Sequence, residues 1–141
     1  MTEPPEYYWH RSTTYRVESP SSESPAIWRL NLKTGEFVRD NVSLLELEGA
    51  PQSSFSSRLS EEKFIQETER RRMRHLRGTG PIFALYKSIE PITSVNRRLT
   101  PQEVELIHST WSQTFSMWEA EQLRRTAGEP PSFTVESDMQ E

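Results

Sequence analysis

Nine consecutive residues, Glu69-Arg70-Arg71-Arg72-Met73-Arg74-His75-Leu76-Arg77, carry five arginines in a chain whose net charge is −4. Arginine stays charged at any working pH, and its planar fork donates to two oxygens of one carboxylate or phosphate. On a helix turning ~100° per residue, Lys63, Arg70, Arg74 and Arg77 fall within ~60° of one another, with Arg71 and His75 on an adjoining flank. A strip of this kind suits an acidic protein surface or a phosphate backbone. Its charges would equally be met inside the helix, by Glu67 beside Arg70 and Arg71 and by Glu69 beside Arg72, or by water. Arg72 lies between Ile65 and Leu76 on the apolar side, where a guanidinium must snorkel or find an acid. An acidic residue of the last helix is the expected partner, which would make Arg72 a hinge between helix and core.

Aromatic side chains form the second feature. Val104, Ile107, Trp111, Phe115 and Trp118 fall within ~80° of one another on a helical wheel, a single apolar stripe. The stripe is expected to pack on a hairpin carrying Trp28, Leu30, Leu32 and Phe37. It can also leave rings free to dock a partner, since Trp, Tyr and Arg dominate interface hot spots, and Trp118 is the candidate at the accessible end. Residues 104, 107, 111, 114 and 118 step by three and four as in a coiled-coil seam, interrupted by Thr114, so self-association is possible.

Other chemistry is sparse. His10, His75 and His108 lack metal-ligand spacing, and Asp40 and Asp138 are the only aspartates. Gly78-Thr79-Gly80-Pro81 lacks the Lys-Ser/Thr of a phosphate-binding loop. Cysteine is absent, so disulfides, thiolate zinc sites and thiol nucleophiles are excluded. No catalytic residue, metal or cofactor is expected, and no enzyme. Leu99-Thr100-Pro101-Gln102-Glu103, followed by Ile107 and Trp111, resembles the opening helix of a globin. No histidine follows Trp111 to ligate haem, so the family is rejected and the match attributed to helix-start physics.

The elements that would hold these residues follow from pattern. Leu, Ile, Val and Phe make up 29 of 141 residues, so a thin core must lean on the four tryptophans. Charge is uneven: residues 58–98 carry +5, flanked by −3 before and −6 after. Alternation from Tyr7 to Val17 predicts a strand, and 27–32 with 37–39 a hairpin turning at Gly35. Residues 42–47 fit either a strand or a helical turn, and 49–57 a serine-rich loop. Ser60 caps a helix to about Arg77, with Leu59 and Phe64 as a hydrophobic staple. Ile82–Tyr86, bounded by Gly80-Pro81 and Pro91, predicts a buried strand. Thr100-Pro101-Gln102-Glu103 spells a capping box opening a helix to about Arg124.

The expected fold is α+β, a small antiparallel sheet packed against a long C-terminal amphipathic helix and a shorter Arg-rich helix. One domain would span 7–126, between a disordered N-terminus at 1–6 and a disordered acidic tail at 127–141. The expected function is a non-catalytic accessory or regulatory role in the cytoplasm, binding a partner protein with an acidic or apolar surface through Arg70, Arg71, Arg74, Arg77 and Trp118. The alternative is nucleic-acid binding through Lys63, Arg70, Arg74 and Arg77, with Tyr7, Tyr8 and Trp9 stacking on bases. An enzyme of unrecognised type is the third possibility. No membrane association is expected.

Overall fold

The computed structural model describes residues 3–49 and 56–139. The fold is α+β, and the chain divides into two compact units. The first comprises Met1–Asn31 and Glu36–Thr68, the second Leu32–Gly35 and Glu69–Glu141, where the sequence alone suggested one domain.

The first unit is built on a five-stranded antiparallel sheet of order β4-β3-β2-β1-β5: β1 (Glu6–His10), β2 (Thr13–Glu18), β3 (Ala26–Leu30), β4 (Phe37–Arg39) and β5 (Ser56–Leu59). Residues 7–17, read as one strand, are a hairpin: His10 pairs with Thr13 across Arg11-Ser12, whose φ values are +50° and +66°. Two left-handed residues make the tight turn that matches strand twist, but neither is the Gly or Asn that announces it. The 27–39 hairpin forms as expected, with Gly35 at φ +81°.

Both sheet faces are covered. On one, Tyr8, Tyr15, Val17 and Ile27 pack with Leu47 of α1 (Leu44–Glu48), a short helix capped by Ser43. That settles residues 42–47 as a helical turn. On the other, Tyr7 and Phe37 meet Phe64 of α2 (Glu61–His75) at ring-centroid distances of 4.4 and 5.7 Å, and Thr14 bonds Thr68 at 2.8 Å. Ser60 caps α2 as predicted, its Oγ accepting from Lys63 N–H at 3.1 Å. Ser57, assigned to a loop, lies in β5 opposite Trp9; residues 50–55 of that loop lie outside the described residues.

The second unit holds the last turns of α2, then β6 (Leu76–Gly78), α3 (Pro81–Thr93), α4 (Pro101–Thr126) and β7 (Val135–Ser137). Residues 82–86 are helical, not a strand. Ile82, Phe83, Tyr86 and Ile89 are buried at the spacing of one helix face, Pro81 occupies the first turn as a starter, and Pro91 lies inside the last turn. A short, wholly apolar run fits either period, and here the buried residues beyond it decide for the helix. The capping box of α4 forms in full, with Thr100 Oγ1 accepting from Glu103 N–H and Glu103 accepting from Thr100 N–H.

The α4 stripe packs against other elements of its own unit. Trp111 and Trp118 join Ile82, Phe83, Tyr86 and Ile89 of α3 and Leu76 of β6 in one apolar cluster. The acidic tail, expected to be disordered, contributes β7, which pairs antiparallel with β6. Phe133 leads into it, its ring 5.2 Å from Trp118 and 5.8 Å from Phe83. A polar composition hid this strand, because its pairing is through the backbone and its one aromatic anchor, Phe133, lies just before it.

Candidate functional site: a cationic groove in the second unit

Position along α2 is fixed by an unusual buried pair. Glu69 and Arg72, both with 0% exposure, bond at 2.7 Å between Glu69 Oε2 and Arg72 Nη1. The guanidinium donates twice more, from Nε and Nη2 to Gly35 O at 2.9 and 2.6 Å, and stacks 4.5 Å over the Trp118 ring. Glu69 Oε1 accepts from Tyr86 Oη and from Thr114 Oγ1, both at 2.6 Å, while Trp118 Nε1 donates to Tyr86 Oη at 2.9 Å. Burial, reinforced by the Glu69 carboxylate, pushes the Tyr86 phenol well above its usual range, so it remains a donor at any working pH. The acid that meets Arg72 therefore comes from its own helix, whereas the sequence reading sought it on the last one. The last helix supplies the Thr114 hydroxyl instead.

With Glu69 and Arg72 turned inward, the neighbouring arginines face the other way. They border a groove of about 610 Å³ between the end of α2, α3 and the start of α4. Its floor is apolar: Met73, Leu76, Phe83, Tyr86, Ile107 and Trp111. Its rim carries Arg70, Arg74, Arg77 and Lys87 against a single lining carboxylate, Glu90. All four cations are exposed. Arg70 lies over the Trp111 ring at 5.2 Å. Arg77 donates to the carbonyls of Met73 at 3.1 Å and Leu76 at 2.8 Å, capping α2 without losing its charge to a carboxylate.

Arg70, Arg74 and Arg77, singled out from sequence, are thus brought together, whereas Arg71 is half-buried and does not line the groove. Trp118 is not presented to any partner: at 2% exposure it is core, because its indole is enclosed by Tyr86, Phe83, Phe133 and Arg72. Lys63, Tyr7, Tyr8 and Trp9 belong to the first unit. Tyr8 is unsuited to stacking at 3% exposure, and Tyr7 packs on Phe64 while donating to Glu61 at 2.9 Å.

Lys87, His108 and Trp111 line the groove without having been proposed for it. Lys87 was hidden by the strand assignment of 82–86; with α3 recognised, it follows Phe83 by four residues on the same face. Trp111 was read as core, which is correct, but its Nε1 is buried without a hydrogen-bond partner among the described residues. No cluster of three or more potential metal ligands occurs among the described residues. None of their helices is long and apolar enough to cross a membrane. Comparison with protein-family models, curated proteins and solved structures yields no match for this chain.

Proposed function

We propose that this protein is a non-catalytic accessory or regulatory factor whose second unit binds an acidic surface of a partner protein. One observation carries the reading: four exposed cations rim an apolar-floored groove that has one carboxylate of its own. Opposite charge on the partner would steer encounter, and the apolar floor would supply the lasting contact. Nucleic acid is the weaker reading. Phe83, Tyr86 and Trp111 in the groove lining are each at 5% exposure or less, so of its rings only the part-exposed His108 offers a face to a base.

The test compares retention of a stoichiometric protein by a tagged full chain and by its Arg74→Glu, Lys87→Glu variant at moderate salt. Both positions are exposed, so the variant should keep its thermal transition. Retention by the parent and loss by the variant supports the proposal. Equal retention, or recovery of nucleic acid in place of protein, refutes it.

A further inference from the structure

We infer that the element received by the groove is an acidic amphipathic helix, with apolar side chains entering the cavity and carboxylates one turn apart meeting the rim. This rests on the partner-binding proposal above and deepens it. Arg70 and Arg74 are one turn apart on α2, a rise of ~6 Å, and Lys87 stands on α3 across the groove. Carboxylates at i and i+4 of a partner helix match Arg70 and Arg74, leaving its apolar face for Met73, Ile107 and Trp111.

The unpartnered indole is an independent observation pointing to the same ligand. Trp111 is 4% exposed, lines the cavity, and its Nε1 has no acceptor among the described residues. A buried donor left unbonded is costly, so a ligand oxygen that accepts from it gains more than one placed in water. Arg70 sits over the same ring at 5.2 Å. A carboxylate drawn to Arg70 is thereby brought close to the Trp111 ring.

The experiment uses the full chain and a fluorescein-labelled peptide of about 15 residues, long enough to form a helix on binding. Leucine and phenylalanine anchors recur at helical spacing on one face, with glutamates one turn apart beside them. Fluorescence anisotropy should show saturable binding, weakened at least about tenfold when the anchors become serine and by a similar factor in the Arg74→Glu, Lys87→Glu variant. Trp111→Phe keeps a ring in place but removes the donor, and should weaken binding by about threefold to tenfold. In heteronuclear proton–nitrogen spectra, the indole signal absent from Trp111→Phe should move when the peptide is added.

Equal affinity for the serine-substituted peptide would mean charge alone and overturn the helix inference, leaving the partner-binding proposal standing. No peptide binding, alongside groove-dependent retention of a partner, would do the same. Tighter binding of a single-stranded oligonucleotide than of the peptide would overturn both.

Discussion

Arg72 Nη1 donates to Glu69 Oε2 at 2.7 Å from three residues further along the same helix, and neither side chain reaches solvent. Pairing within one turn turns both charges inward and leaves Arg70 and Arg74 on the outer face. Removing either partner strands the other, so Glu69→Ala and Arg72→Ala should each cost about 3–5 kcal/mol in denaturant unfolding. The Glu69→Ala, Arg72→Ala double variant should lose clearly less than the sum of the two single losses. Additive losses would show that the two groups do not stabilise each other.

Trp118 packs against Phe83 and Phe133 and donates to Tyr86, so truncation opens a cavity and removes one of the two bonds at the Tyr86 hydroxyl. Trp118→Ala should lower stability by about 3–5 kcal/mol, a loss read directly from the unfolding midpoint. Trp118→Phe should cost less while still weakening the Tyr86 contact. A fully stable Trp118→Ala with impaired binding would instead make this ring an interface residue.

Gly35 combines φ +81° with no room for a side chain: an added Cβ would lie 2.5 Å from Trp118 Cη2 and 2.9 Å from Leu76 Cδ1. Its carbonyl also takes two bonds from Arg72. Gly35→Ala should therefore destabilise by well over ~1 kcal/mol, more than a turn glycine facing solvent. Gly128→Ala is the matched control, with φ +94° and nothing within 4 Å of the added atom. Similar thermal shifts in the two variants would remove the packing argument.

The C-terminal segment is held by Glu121, whose Oε2 accepts from Ser132 N–H at 2.8 Å and Arg125 Nε at 2.7 Å. Burial opposes ionisation of this carboxyl, but the Ser132 and Arg125 bonds outweigh it and leave its pKa at about 2. A folded value below the ordinary 4.5 means that the stabilisation is complete above 4.5 and fades as pH falls toward about 2. Amide protection across 132–138, taken relative to the intrinsic exchange rate at each pH, should fall over that interval in the parent chain. In Glu121→Gln protection should already be low at neutral pH and change little with acid; a parent-like protection profile in that variant would remove Glu121 from the account.

How far the sequence disclosed this arrangement depends on the kind of signal each element carries. The starts of α4 and α2 were legible because capping is local chemistry, written in Ser60 and in Thr100 through Glu103. The Arg11-Ser12 turn was not, since tertiary pairing of β1 with β2 imposes φ values that neither residue type advertises. Helix α3 was lost to an apolar run of ambiguous period, and Lys87 went with it. Composition marked the arginine strip, but the inward turn of Arg72 depends on Gly35, Tyr86 and Thr114, which lie far away in sequence. The strand at 135–137 went unseen because its stabilising contacts are with β6 and with Trp118 through Phe133.

Site-specific photocrosslinking tests the central claim most directly. Thr93 lines the groove, is exposed and bears no charge, so a photoreactive residue there leaves the cationic rim intact. In extract from the native source, irradiation should join it to an acidic segment of one partner protein, and Arg74→Glu with Lys87→Glu should abolish the adduct. A partner captured from a photoreactive residue at Lys63 in the first unit, with no adduct from position 93, would contradict the account.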